Sequence, residues 1–209
     1  MHTNTVSQNV LATLKLLMQD ENLSDFRLVG GTALSLQIGH RMSVDIDLFT
    51  TNEFDKPQLS KYLTAIHHFR LPVFSDIALH GFIGNVKVDL VHYNNGFLNS
   101  PLLDDGIRMA DFKDIAAMKL EAIANVQNRL KDYVDIAFMS SHLSLKEMLT
   151  CFKNKFDYDE SLVIRSLGVF SEIQHAEDIF LMKGKFEWRK IKERILAMIN
   201  NPSLTFKPI

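Results

Sequence analysis

The sequence predicts an α+β chain, with strands and helices alternating in the N-terminal half and helices filling the C-terminal half. Three observations carry that reading. Apolar residues recur at helical spacing near the start and again beyond residue 110. Short strand-like runs fall between residues 26 and 93. Gly30-Gly31 and Gly84-Asn85 punctuate those runs. The division lies in the stretch 94–110, giving an α/β core over 1–100 and a helical part over 101–209 that completes a cleft.

Composition narrows the function classes. The 209 residues are 46% hydrophobic and 23% charged, enough for a substantial core. A net charge of −2 excludes a global field that recruits nucleic acid. No run approaches the ~20 apolar residues of a membrane span, and the first residues have neither a basic nor an apolar leader segment. The expectation is a cytoplasmic protein with no membrane partner. Cys151 is the single cysteine, so no internal disulfide forms, as suits a reducing compartment.

Taken in order, residues 5–19 place Val6, Val10, Leu14, Leu17 and Met18 on one helical face. Phe26–Val29 is a short strand that ends at Gly30-Gly31. Thr32–Ile38 continues as a helix stopped by Gly39. Ser43–Phe49 is a second strand. Thr50-Thr51-Asn52 offers caps for a helix with Pro57 in its first turn and Leu59, Tyr62, Leu63 and Ile66 as its stripe. Phe74–Ile83 and Asn85–Tyr93 read as a hairpin. Asn94–Pro101 is a loop, and helices follow over about 111–125, 129–140, from 144, 159–173 and 186–199.

The chemistry concentrates in three places. Side chains alternate along a strand, so Asp45 and Asp47 share a face while Ile46 and Leu48 point into a core. Two carboxylates held side by side repel unless a cation joins them. On the second hairpin strand Val86, Val88 and Leu90 take one face, and Lys87, Asp89 and Val91 take the other. Asp89 thereby offers a third carboxylate. Three such groups can hold two Mg²⁺ ions, with Mn²⁺ able to substitute, and Asp89 is also placed to take a proton from an attacking hydroxyl. Gly30 and Gly31 leave backbone N–H groups bare at a helix start, which suits phosphate. In the helical half Lys119 could meet the oxygens of a nucleoside triphosphate. Arg129 and Asp132, three residues apart, face one side of the next helix. An ordinary salt-bridged helix face explains this last group as well.

Other residues are left with two readings. Arg41 and Ser43 either steady the aspartate strand or touch nucleotide. His80 and His92 lie on the hairpin; either one of them faces the cleft, or both are surface residues, which is the simpler account. His67-His68 has no cysteine nearby and is not expected to bind metal. Lys183, Lys185, Arg189, Lys190, Lys192 and Arg194 crowd the last helix as a solvated face, or as a docking surface for RNA or an acidic partner.

The pattern Gly30-Gly31-Thr32-Ala33-Leu34, His40-Arg41-x-Ser43-x-Asp45-Ile46-Asp47-Leu48-Phe49, Val88-Asp89-Leu90 and Met118-Lys119…Arg129-x-Lys131-Asp132-Tyr133-x-Asp135 resembles the AbiEii/AbiGii family over about residues 25–140. That family holds nucleotidyltransferase-like toxins of the wider DNA polymerase β-like superfamily. The resemblance implies a small mixed sheet flanked by helices and a helical C-terminal part. It implies that Gly30, Gly31 and Thr32 contact phosphate, that Asp45, Asp47 and Asp89 bind Mg²⁺, and that Lys119 contacts the triphosphate. Asp132 would orient Lys119 or the incoming group. The implied reaction moves a nucleoside monophosphate from NTP to an acceptor hydroxyl, RNA or tRNA foremost, in a toxin restrained by a cognate antitoxin or in phage defence. The alternatives are a non-catalytic module that holds a nucleotide or a partner, and an enzyme acting on a small antibiotic-type molecule.

Overall fold

A computed structural model describes residues 1–126, 129–157, 159–173 and 178–209. The described chain forms two compact units, neither continuous in sequence. The first is Met1–Gly96 with Ser100–Ala110; the second is Phe97–Asn99 with Asp111–Ile209.

The first unit holds a seven-stranded mixed sheet in the order β3-β4-β5-β2-β1-β7-β6. Its strands are β1 (Arg27–Leu28), β2 (Ile46–Thr50), β3 (Phe69–Phe74), β4 (Ala78–Ile83), β5 (Val86–His92), β6 (Leu102–Asp104) and β7 (Ile107–Met109). β2 runs parallel to β5 and antiparallel to β1, and β1 runs parallel to β7. Alternation sets the faces: Ile46, Leu48 and Thr50 are buried on β2, as are Val86, Val88 and Leu90 on β5. The intervening positions hold Asp47 and Asp89, so the side chains that carry charge stay off the core face.

Three helices belong to this unit: α1 (Gln8–Gln19), α2 (Gly30–Ile38) and α3 (Lys56–His67). Ser7 caps α1 by accepting from Val10 N–H at 3.2 Å. Asp55, rather than Thr50-Thr51-Asn52, caps α3 by accepting from Gln58 N–H at 2.9 Å. Two strand regions depart from the sequence expectation. β3 carries Pro72, a positive φ at Leu71 and a register shift between Arg70 and Val73. Five of its six residues are exposed, so it shows no alternation to read. Proline and a bulge are also what keeps an edge strand from pairing with another chain. The hairpin β6–β7 turns at Asp105-Gly106, both at positive φ, where a helical continuation was expected beyond Pro101. Strands of three residues are too short to show a period.

The second unit is helical: α4 (Phe112–Asn125), α5 (Leu130–Met139), α6 (Leu145–Lys155), α7 (Glu160–Leu167) and α8 (Trp188–Asn200). Asp111 caps α4, and Ser144 with Glu147 forms a capping box on α6. α7 ends at Leu167, earlier than the apolar pattern to Ile173 predicts. The rings of Tyr133, Phe170 and Trp188 pack edge to face at 5.8 to 6.2 Å, and the Tyr133 hydroxyl reaches the Ser166 carbonyl at 2.8 Å. Burial, with the Asp132 charge behind it, pushes the Tyr133 phenol up to about 12, so it stays a neutral donor. Asp114 and Lys155 form a fully buried ion pair at 2.7 Å. Asp114 also accepts from the backbone N–H groups of Leu98 and Asn99, and Lys155 lies 4.9 Å from the Phe97 ring centroid. That set fastens residues 97–99 to the helical unit.

Candidate active site

The first unit's site starts where β1 hands over to α2. Val29 N–H donates to the Asp47 carbonyl at 2.9 Å, which brings β2 alongside the chain just before the glycines. Gly30 and Gly31 form the first turn of α2 rather than preceding it, and no side chain caps that end. Gly30 has φ +68°, and a Cβ there would lie 2.6 Å from Asp47 Oδ2. The Asp47 carboxylate therefore rests directly on the bare backbone at a helix N-terminus, where a negative charge is favoured. A side chain at Gly31 would collide with the Arg41 guanidinium. Gly30→Ala is expected to push Asp47 aside and to cost about 1 kcal/mol or more through the left-handed backbone alone. A thermal melt checks the stability loss, and a transfer assay should show activity falling further than that loss explains.

Thr32, Arg41 and Ser43 are all buried. The Thr32 hydroxyl bonds to the Ser43 hydroxyl at 2.8 Å and also to the Asp45 carbonyl. Ser43 N–H donates to the Thr5 carbonyl at 2.9 Å. Arg41 donates to the Met42 carbonyl at 3.0 Å. Thr32 and Ser43 thus tie α2 to the segment that presents the aspartates. Asp45 lies just before β2, whose first residue is Ile46 rather than Ser43.

The parallel register places Asp47 directly opposite Asp89, with His80 opposite Asp89 on the other side. The structure thereby brings Asp47 and Asp89 onto neighbouring strands, as the alternation predicts, and sets Lys87, to which sequence reasoning assigns no role, and His80, read mainly as a surface residue, against Asp89. Lys87 Nζ lies 2.6 Å from Asp89 Oδ2, and His80 Nδ1 lies 3.0 Å from Asp89 Oδ1. Burial pulls the Lys87 ammonium down. The hydrogen bond and charge of Asp89, joined by the charges of Asp47 and Asp45, outweigh it and hold Lys87 above its ordinary range. Lys87 is thus the positive charge among three carboxylates. Its place two residues before Asp89 on the same strand face was the signal available in the sequence.

The chemistry of these donors suits Mg²⁺, which takes carboxylate oxygens. Asp89 Oδ1 is buried and has no aligned hydrogen-bond donor, an oxygen with a lone pair to offer a cation. As arranged, no three His, Cys, Asp or Glu side chains among the described residues converge closely enough to hold one ion.

In the second unit Lys119 is almost fully buried between two buried carboxylates. Its Nζ lies 2.6 Å from Asp132 Oδ1 and 2.7 Å from Asp135 Oδ2. Arg129 Nε stands 3.3 Å from Asp132 Oδ2, with most of its side chain exposed. The expected helical motif is therefore assembled as one buried charge group. Lys119 is its internal cation, and Arg129 is the member that reaches solvent.

Two sequence features resolve into structure. His67 is buried at the end of α3 with Nε2 2.6 Å from Asp20 Oδ2. Burial pushes the Asp20 carboxyl up, but hydrogen bonds from His67, Asn22 and Tyr62 hold it below its ordinary range. On α8, Arg189 pairs with Glu193 and Lys190 with Glu187, while Arg194 bonds Ser140 and the Lys207 carbonyl. Those three cations have partners within their own unit.

Comparison with known proteins follows the same lines. The family model described as the nucleotidyl transferase AbiEii toxin of a type IV toxin–antitoxin system matches residues 14–84 and 81–206. An uncharacterised protein of Aquifex aeolicus (strain VF5) is 35% identical over 182 residues, 81% of this chain and 88% of its own length. A Helicobacter pylori protein assigned as a nucleotidyltransferase shares the fold with a TM-score of 0.52 at 17% identity, over 93% of this chain and 94% of its own. The antibiotic-resistance factor ANT(2'')-Ia does so with a TM-score of 0.56 at 15% identity, over 74% and 92%.

Proposed function

The chain belongs to the AbiEii family of nucleotidyltransferase toxins, and from that premise we propose that it transfers a nucleoside monophosphate from NTP to a hydroxyl of RNA, with tRNA the leading acceptor. The observation that carries this reading is the Asp47–Asp89 register beside Gly30 and Gly31. Asp45, Asp47 and Asp89 are the residues that would hold Mg²⁺, with Mn²⁺ as substitute. When bound, the ions would supply charge neutralisation at the attacking and leaving oxygens.

The chain's own groups do the rest in this reading. The N–H groups of the first turn of α2 hold phosphate oxygens, with the Arg41 guanidinium behind Gly31. Asp89 takes the proton of the acceptor hydroxyl. The acceptor oxygen forms a bond to the α-phosphorus as the bond to the β-phosphate oxygen breaks, and pyrophosphate leaves. In the second unit Lys119 holds Asp132 and Asp135 in place, and Arg129 pairs with Asp132 while most of its side chain is exposed. A cognate antitoxin restrains the activity.

The test incubates the protein with each α-labelled NTP, Mg²⁺ and total RNA, with aminoglycosides in a parallel reaction. Label in RNA with release of pyrophosphate is expected, and one NTP should dominate. Label only on the small molecule would overturn the RNA acceptor. Nucleotide binding without transfer to any acceptor would overturn the enzymatic reading of this site.

A further inference from the structure

We propose that Lys87 is an internal counter-ion for the carboxylate cluster, occupying Asp89 in the metal-free protein and leaving it before a divalent cation can take the same carboxylate. The inference rests on the metal reading above and concerns what that reading leaves unused.

The two oxygens of Asp89 are approached from both sides. Lys87 donates to Oδ2 at 2.6 Å, and His80 Nδ1 stands 3.0 Å from Oδ1. Asp89 itself is mostly buried, so its carboxylate has little water to fall back on. A divalent ion binds a carboxylate oxygen at roughly 2.1 Å. It would then sit within a few ångströms of an ammonium that shares that carboxylate, and the two like charges repel. Lys87 must move. It is free to do so in one respect that His80 is not: nearly half its side chain is exposed, and its four-carbon stem is flexible. His80 sits on β4 with a short stem, held by the β4–β5 register.

The same geometry accounts for the lack, among the described residues, of three converging ligand side chains. Asp89 points to Lys87 and His80, and Asp47 lies against Gly30. With a cation already among them, the three carboxylates need no metal to coexist. That lowers their apparent affinity for metal in the absence of nucleotide. When a metal–nucleotide complex arrives, the displaced ammonium has a phosphate anion to meet in exchange.

The experiment titrates Mn²⁺ into the nucleotide-free protein and follows free ion by electron paramagnetic resonance. Wild type, Lys87→Met, Lys61→Met and Asp47→Asn are compared, each with a thermal melt in the presence and absence of Mg²⁺. Lys87→Met is expected to bind Mn²⁺ about fivefold more tightly than wild type, and to gain more melting temperature from Mg²⁺. Asp47→Asn added to Lys87→Met should remove that gain. Lys61→Met, an exposed charge change on α3, should match wild type. Lys87→Gln removes the charge while keeping a hydrogen-bonding head, and replaces Lys87→Met if the latter does not fold. Equal or weaker Mn²⁺ binding by the Lys87 variant, with wild type binding normally, overturns the counter-ion role and leaves the metal site standing. Absence of Mn²⁺ binding in both wild type and the Lys87 variant overturns both.

Discussion

Asp47→Asn is expected to leave the protein folded and to reduce nucleotidyl transfer on the order of a thousandfold, the scale seen when one electrostatic partner of a transition state is removed. The argument has two parts. Asp47 is only partly buried and stands opposite Asp89 across the β2–β5 register, so its uncharged amide strands no buried carboxylate. The amide keeps the shape against Gly30. Melting temperature should therefore change little while activity collapses, and that split separates a chemical role from a structural one. The measurement is label transfer at saturating NTP alongside a melt of the same preparation. Activity retained within tenfold of wild type would sink the carboxylate site.

Lys119→Met should behave in the opposite way, with a large loss of stability. Lys119 neutralises two carboxylates that are 1% and 0% exposed. Its removal takes the shared cation from both buried carboxylates, and breaking a buried pair in this way costs about 3–5 kcal/mol. Urea unfolding should show a much lower midpoint with the slope preserved. Adding Asp132→Asn and Asp135→Asn to Lys119→Met should recover part of the loss, because the residual cost is unpaired charge rather than missing volume. A Lys119→Met midpoint equal to wild type would show that the carboxylates find another cation. The prediction also bears on function, since inactivity of Lys119 variants would report the collapse of α4 against α5 before any contact with nucleotide.

Legibility in the sequence followed the range of the interactions. Asp47 and Asp89 were readable because strand alternation is local, and it separates charged from apolar faces within five or six residues, whereas Asp45 falls just before β2, where alternation no longer applies. Lys87 stood on the Asp89 face by the same rule. Its function depends on a side-chain pairing that alternation does not specify. His80 meets Asp89 only through the β4–β5 register, a cross-strand fact invisible along one strand. The helix start at Gly30 rather than Thr32 turned on a left-handed residue opening a helix, an arrangement that propensity does not anticipate. Lys119 was readable as a mid-helix cation, but its pairing with Asp135 on the next helix is a contact between helices that spacing along one helix does not specify. β3 and β6–β7 were missed because exposure and shortness erase the period on which strand reading relies.

The excursion of Phe97–Asn99 carries a consequence for how such genes can be shuffled. The chain leaves the sheet unit after Gly96, is fastened by Asp114 and Lys155 for three residues, and returns to add β6 and β7 before departing again at Asp111. A recombination breakpoint near residue 100 would separate β7 from β1, where Leu28 pairs with Met109 and the Leu28 carbonyl accepts from Ala110 N–H at 2.8 Å. A chimaera with that junction would inherit its sheet edge from one parent and the strand beside it from the other. Viable exchange therefore favours a breakpoint after Ala110 with residues 97–99 and Asp114 taken from compatible parents, which makes the two units hard to trade as independent cassettes.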